Sequence, residues 1–338
     1  HCPSFVDWHT IFTLASLMLI TTSIQETGYL ECFTRRIISS LRSEKQLALI
    51  LTWLSALLST FLTNDVALFV VLPLVLAMKS YLRMDATKLI VMQTIAVNVG
   101  SALTPIGNPQ NLYLWHLWGI SFFAFVKYTF PLFVLMIVIL SLFCLLLFPS
   151  RRLMLTEELD KGTGLPEKNR KRQFFLSLGL LILLLVVMEY RKVPFMFLFL
   201  LIFFTLYSPR VIKGVDWIFL LVFILLFIDF HLLSEIPLFQ HLVHLFDLHT
   251  SKGVFLVSVV FSQIMSNVPA SIFLSKFTGN LFALTYGVNV GGNGFILGSF
   301  ANLITLRLAK DEKFLNTFHL YSLVYLVITT ILVYLICL

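Results

Sequence analysis

Residues 122–148 form a run of 27 residues with a single charged side chain, Lys127. About 20 apolar residues suffice for a helix to cross the hydrocarbon of a bilayer, so this stretch by itself places the chain in lipid. Similar runs cover 8–25, 174–190, 194–207, 217–233 and 317–338. The rest of the chain agrees: 59% of residues are hydrophobic, 12% are charged, and the mean hydropathy is +0.94. A soluble domain is about half apolar and a quarter charged. A water-soluble enzyme, a nucleic-acid-binding domain and a disordered chain are thereby excluded. The runs are also too continuous for the alternating strands of an outer-membrane barrel. The expected class is an all-α polytopic membrane protein. Cys2, Cys32, Cys144 and Cys337 are scattered without metal or disulfide spacing, so no cofactor is expected.

Two further crossings are interrupted. The run 89–115 carries Asn98, Gly100, Ser101, Thr104, Pro105, Gly107, Asn108, Pro109 and Asn111; the run 281–306 carries Asn289, Gly291, Gly292, Asn293, Gly294, Gly298, Ser299 and Asn302. Both read as broken transmembrane helices. Two other segments pair short apolar arms around a polar triplet. Arms 47–62 and 66–78 flank Thr63-Asn64-Asp65, and arms 254–265 and 269–277 flank Ser266-Asn267-Val268. These pairs, within 47–78 and 252–278, read as re-entrant helical hairpins. Irregular backbone is not tolerated against lipid, so their tips must meet protein or a water-filled cavity.

The charges give sidedness. The stretches 33–47, 79–88, 149–172, 207–216 and 307–313 hold 19 of the 24 Lys and Arg; Lys127, Arg191, Lys192, Lys252 and Lys276 fall on the other side. The positive-inside rule makes the first set cytoplasmic, in what is expected to be a bacterial inner membrane. The net charge of +7 therefore reflects topology, and nucleic acid is not an expected partner. The segment 149–172 reads as a cytoplasmic linker.

The two sides of that linker echo each other. Val6-Asp7-Trp8 recurs as Val215-Asp216-Trp217, and Glu26 as Glu235, at an offset of 209; the tips Asn64 and Asn267 are 203 apart; the segments 106–112 and 297–303 are 191 apart. An odd number of crossings separates the copies, which predicts two inverted repeats, 1–148 and 173–338. Such repeats, with broken helices meeting at the midplane, build many secondary transporters. Two spans precede the second Val-Asp-Trp, and almost nothing precedes the first. The comparison predicts two more spans, roughly 30–45 residues, ahead of His1.

Helix ends expose unpaired N–H and C=O groups. N-termini beginning after Asn64 and Asn267 favour anions, whereas unwound carbonyls and the oxygens of Asn, Ser and Thr favour Na⁺. Asp65 is the single acidic side chain among the tips and breaks, opposite Val268 in the other copy. Three roles are open to it: a Na⁺ ligand, a proton carrier raised by burial, or a helix cap. Asn64 and Asn267 can serve as ligands or satisfy their own turns, and Asn111 and Asn302 can bind solute or knit helices together. Asp229 reads as a second proton site or a structural partner. The histidines His231, His241, His244 and His249 mark an amphipathic extracytoplasmic segment, with a metal site as the alternative. Walker, HExxH and nucleophile–base motifs are absent from the sequence.

Thr63-Asn64-Asp65 and Ser266-Asn267-Val268 resemble the two Ser-Asn-Thr tips of the ion transporter superfamily. Thr104-Pro105-Ile106-Gly107-Asn108-Pro109-Gln110-Asn111 resembles its first broken-helix loop, and Gly298-Ser299-Phe300-Ala301-Asn302 its second. The wording is most similar to the small arsenite and sodium–proton permeases. The resemblance implies an ion-coupled secondary transporter, with Na⁺ or H⁺ as coupling ion and a small inorganic or organic anion as cargo. It also implies elevator motion and a homodimeric scaffold. A sodium–proton antiporter working through Asp65 is the alternative; a non-transporting subunit or an intramembrane enzyme is remote. Carried over, Ser59, Thr63, Asn64 and Asp65 with Asn98, Thr104, Gly107, Asn108 and Asn111 form one ion and substrate site. Ser262, Ser266, Asn267, Asn293, Gly298, Ser299 and Asn302 form its partner. Possible Na⁺ ligands are Thr63, Asn64, Asp65 and Asn108, and Ser266, Asn267 and Ser299.

Overall fold

The computed structural model describes residues 5–39, 41, 43–78, 86–151, 167–190 and 192–338. Most of the linker 149–172 and of the stretch 79–88 lies outside these residues. In chain order the helices are α1 Trp8–Glu26, α2 Tyr29–Ser39, α3 Glu44–Phe61, α4 Asn64–Met78, α5 Ala86–Ser101, α6 Pro109–Trp118, α7 Phe122–Leu147, α8 Glu167–Glu189 and α9 Val193–Tyr207. They continue as α10 Pro209–Gly214, α11 Trp217–Glu235, α12 Pro237–His244, α13 Ser251–Met265, α14 Asn267–Leu274, α15 Leu281–Gly291, α16 Phe300–Ala309 and α17 Phe314–Ile336; a 3₁₀ turn, Ile296–Gly298, precedes α16.

This is the all-α polytopic membrane protein that the composition demands. Phe122–Leu147, Arg170–Glu189, Trp217–Glu235 and Phe314–Ile336 are long and apolar enough to cross a membrane. Shorter apolar helices, α9, α13, α15 and α16 among them, run 10–17 residues. The helix α8 begins at Glu167, ahead of its apolar stretch, because the intervening Glu, Lys and Arg residues are themselves good helix formers. Helix α2 falls where hydropathy gave only a loop. It is amphipathic, with too few apolar residues to register as a span.

The chain divides into two compact units. One comprises His1–Ser39 and Glu157–Asp229, the other Ser40–Thr156 and Phe230–Leu338. In the first unit, α1 packs on α8, α9 and α10. Its joints are the Ser23–Ser177 hydroxyl pair at 2.8 Å and Tyr29 stacked on Phe174 with ring centroids 4.5 Å apart. The repeated Val-Asp-Trp proves to be a helix start. Asp7 accepts from the N–H groups of His9 and Thr10 at 3.1 and 3.3 Å, and Asp216 accepts from Phe219 N–H at 3.0 Å. Each satisfies donors that the first helical turn leaves open. The helices that follow, α1 and α11, both run 19 residues and both end on Glu, at the 209 offset throughout.

The second unit holds both triplet-bearing pairs and both interrupted helices. The arms α3 and α4 pack on each other, as do α13 and α14; α3 also packs along α5, and α13 along α15. Glycine sets the closeness of both contacts. A Cβ at Gly100 would lie 2.0 Å from the Ala56 carbonyl oxygen, and one at Gly291 would lie 2.6 Å from Ser262 Cβ. At 1.5 Å rise per residue, the 15 residues of α13 and 8 of α14 rise roughly 22 and 12 Å, short of a ~30 Å hydrocarbon core.

Candidate functional site

The tips and breaks meet inside the second unit. Helix α3 ends at Phe61 and α4 begins at Asn64; α13 ends at Met265 and α14 begins at Asn267. Thr63, Asn64, Ser266 and Asn267 are all buried, at 5%, 3%, 8% and 3% exposure, and Asp65 is half-buried in the first turn of α4. The Ser266 backbone has φ 77° and ψ 156°, a region that side chains other than glycine avoid. Holding it there costs about 1–3 kcal/mol, strain of the kind that collects at binding sites and switches.

Each tip is bonded to its own break. Thr60 Oγ1 donates to Gly100 O at 3.0 Å, Thr104 Oγ1 donates to Thr60 O at 2.6 Å, and Asn64 N–H donates to Gly107 O at 2.9 Å. In the other half Gln263 Nε2 donates to Gly291 O at 2.7 Å, and its Oε1 accepts from Phe295 N–H at 2.7 Å. Thr60 and Gln263 are 203 apart, Gly100 and Gly291 are 191 apart, and so are Thr104 and Phe295.

The breaks are also bonded to each other, and the bonds are reciprocal. Asn98 on α5 donates to Asn302 Oδ1 at 2.9 Å and to Gly292 O at 3.1 Å, and accepts from Ser299 Oγ at 3.1 Å. Its counterpart Asn289 on α15 donates to Asn111 Oδ1 at 2.7 Å and accepts from Asn108 Nδ2 at 3.1 Å. Asn111 Nδ2 reaches Ser101 O and Thr104 O; Asn302 Nδ2 reaches Gly292 O and Phe295 O. These partners obey the 191 offset with one exception: where Asn98 reaches Gly292 O, Asn289 Nδ2 donates instead to Thr285 O of its own helix at 2.8 Å. When residue i of one unit meets j of a like unit, and j meets i in return, the pairing is isologous. The two loops are thus wired alike and each is held by a helix of the other.

The sequence-derived candidates separate into two groups. Asn98, Thr104, Asn108, Asn111, Ser299 and Asn302 belong to this wiring. Ser59 donates to Val97 O at 2.6 Å and Ser262 to Ser258 O at 2.7 Å, so both hydroxyls serve helix packing. Gly107 presents its carbonyl to the first tip, and Gly298 closes the 3₁₀ turn before Ser299. By contrast, the Thr63 hydroxyl and the Nδ2 groups of Asn64 and Asn267 make no hydrogen bond among the described residues. Asn267 Nδ2 lies beside Gly292, 2.9 Å from where a Cβ would be. Asn293 donates to Asn289 O at 3.2 Å, which fixes the amide orientation and leaves its buried Oδ1 without a donor. Asn289, Thr60 and Gln263 were not among the candidates. Extending the 191 and 203 offsets outward from the motifs would have paired them with Asn98 and with each other. Outside this cluster, His231 pairs with Glu235 at 3.3 Å on α11, and Asp247 accepts from the N–H and hydroxyl of Thr250, the cap of α13. Asp229 is exposed on α11.

Apolar helices interrupted at buried polar turns, with breaks and tips wired into one cluster, define a membrane transporter rather than an enzyme. The model of the citrate transporter family matches residues 3–278, and the chain belongs to that family, within the ion transporter superfamily. It is similar to the inner membrane protein YbiR of Escherichia coli, 39% identical over 95% of this chain and 85% of that protein. It is also similar to an uncharacterized transporter of Methanocaldococcus jannaschii, 36% identical over 91% and 82%. A putative transporter, arsB, of Dictyostelium discoideum is 24% identical over 37% of this chain and 22% of that one.

Proposed function

We propose that the protein is an ion-coupled secondary transporter of a small anion or oxyanion. The observation that carries this reading is the state of the two tips: in a cluster where nearly every amide is paired, the donors of Thr63, Asn64 and Asn267 remain open. No Lys or Arg lies in the tips or breaks. An anion there is held by neutral donors and by the N-termini of α4 and α14. Asp65, in the first turn of α4, opposes it. Two negative charges in low dielectric exclude each other unless one is neutralised. A proton or Na⁺ on Asp65 removes that opposition, which couples cation to anion without any further device.

Both tips and both breaks fall in one compact unit, while α1, α2, α8, α9 and α10 fall in the other. That division favours an elevator, in which the site travels as a body. The basic charge of 33–47, 79–88, 149–172, 207–216 and 307–313 favours a cytoplasmic side for them, and the name of the Escherichia coli relative supports a bacterial inner membrane. A homodimeric scaffold is part of the same reading. Asp65 also supports a second reading, a sodium–proton antiporter, in which the carboxylate alone exchanges the two cations.

Proteoliposomes under imposed Na⁺ or pH gradients, with a panel of inorganic and organic anions, test both. Asp65→Asn is expected to abolish or uncouple flux at near-normal folded yield. Asn64→Ala and Asn267→Ala should each raise the KM for the anion about tenfold, the loss of one hydrogen bond to a charged group. Cation exchange that proceeds without any anion selects the antiporter. Unchanged ion dependence in Asp65→Asn refutes both.

A further inference from the structure

The two breaks are wired alike, but one backbone donor is handled differently. Inside a membrane protein each main-chain N–H needs an acceptor. In the first break the relevant position is Pro105, which has no N–H. The position 191 residues on is Ile296, the first residue of the 3₁₀ turn. Its N–H donates to Nε2 of His319 on α17 at 3.1 Å. The neighbouring Phe295 N–H is taken by Gln263, and the Phe295 ring stands 5.5 Å from the imidazole, centroid to centroid. The turn leads directly into Ser299, which caps α16 and donates to Asn98.

Imidazole accepts a hydrogen bond only while Nε2 carries no proton; the imidazolium ion is a donor at both nitrogens. We infer that His319 is a positioning residue that holds the second break in place only in its neutral form. Acidification through the titration of His319 sets N–H against N–H, frees the turn, and loosens Ser299 from Asn98. This inference rests on the transporter reading for its consequence, but not for the contact itself.

Several of the neighbouring titratable and charged groups are engaged elsewhere. The charged and titratable groups on the helices against α17 are Lys88 on α5, Lys127, Tyr128 and Cys144 on α7, Lys252 on α13, Tyr286 on α15 and Arg307 on α16. Lys88 lies over the Tyr321 ring at 6.0 Å and Lys252 over the Tyr334 ring at 4.6 Å. Tyr286 donates to Tyr128 O, Tyr325 to Met136 O, and Cys144 pairs with Thr52. On the approach to α17, Asp311 accepts from Thr87 at 2.6 Å, and Lys310, Glu312 and Lys313 share its loop. Among the described residues the imidazole accepts a hydrogen bond from Ile296 alone.

The test is amide hydrogen exchange of the 295–299 segment in the purified protein, corrected for the intrinsic pH dependence of exchange. It is run between about pH 8 and about pH 5, the range that brackets an ordinary histidine. Wild type should lose roughly tenfold in protection as the pH falls, the worth of one hydrogen bond. His319→Gln, which offers an amide oxygen and cannot titrate, should stay protected throughout. His319→Leu should be unprotected at both ends. In proteoliposomes the acid limb of wild-type flux should flatten in His319→Gln. Protection that does not change with pH in wild type, or that falls equally in His319→Gln, overturns the inference. So does an acid limb that survives in His319→Gln. If no variant moves an anion yet exchange behaves as described, the transporter reading fails while the histidine tether stands.

Discussion

Asn98→Ala is the sharpest probe of the reciprocal wiring. The substitution deletes one acceptor and two donor bonds at a residue that is 4% exposed. Gly292 O keeps its second donor, Asn302 Nδ2 at 3.0 Å. Asn302 Oδ1 loses its donor and the Ser299 O–H loses its acceptor, while Ser299 Oγ keeps the Ala301 N–H at 3.3 Å; both residues are buried, at 0% and 1% exposure. Stranding a buried polar group costs about 1–3 kcal/mol, so the variant should lose about 2–6 kcal/mol. The pairwise energy between Asn98 and Asn302 should be much smaller, about 0.6 kcal/mol and at most about 1.7, because hydrogen bonds within membranes are partly replaced in the unfolded state. Equilibrium unfolding in mixed micelles, run as a double-mutant cycle over Asn98→Ala and Asn302→Ala, measures both. Asn293→Ala is the control. It sits in the same break but gives up one bond at 3.2 Å and removes an acceptor that accepts nothing, so its cost should stay under about 1 kcal/mol. The wiring is refuted if Asn98→Ala is no more harmful than Asn293→Ala, or if the cycle shows no coupling.

Two substitutions of glycine by alanine should act in opposite directions. Gly100→Ala drives a methyl into backbone 2.0 Å away and should prevent α3 and α5 from packing, whereas Gly179→Ala meets nothing within 4 Å and should stabilise α8 by up to about 1 kcal/mol, read as thermal midpoints in detergent. In the loop before α13 the Asp247 carboxyl is held below its ordinary value of 3.8, chiefly by the Thr250 hydroxyl and then by the N–H groups of His249 and Thr250. A depressed carboxylate holds these donors above the unfolded value and releases them as pH falls through the lower folded value. Exchange protection of the His249 and Thr250 amides should therefore be flat from neutrality to about pH 4 and fall only below that. Asp247→Ala should remove the protection at every pH.

The class of fold was legible because it follows from amounts: no soluble core accommodates this much apolar surface. The triplets and breaks stood out for a related reason, since clustered Asn, Gly and Pro in the middle of a lipid-crossing run interrupt its helical ladder. What stayed hidden is whether a polar side chain serves a ligand or another side chain. Asn108 and Asn64 look equally available in the sequence. The structure gives Asn108 three bonds for its amide nitrogen and, among the described residues, leaves that of Asn64 with none. Two of those bonds reach Ser101 across the bent break and the third crosses 181 residues to Asn289, neither of which a local pattern reports. Helix α2 was missed for the opposite reason: its amphipathic period is local, but a hydropathy threshold for spanning segments discards it.

The internal repeat permits one more step. Two halves that share their caps, their tip-to-break bonds and their cross-bonds have little structural reason to differ at particular positions, so the differences that persist between them carry the chemistry. Three of the differences that involve polar or imino groups bear on coupling. Asp65 stands against Val268, Pro105 against Ile296 with its histidine acceptor, and Ala102 against Asn293. The first half holds the carboxylate and a break stiffened by proline. The second holds no charge in its tip, a break tethered through a titratable ring, and one buried oxygen without a donor. A symmetric pair of half-sites would bind two like ions and give protonation no preferred address. Under the proposed coupling and the inferred histidine tether, a cation would act first at Asp65, and pH would reach the other half separately through His319. Exchanging the pair, Asp65→Val together with Val268→Asp, should therefore move the cation dependence of flux without moving the acid limb. Loss of both together would mean that one group governs both halves.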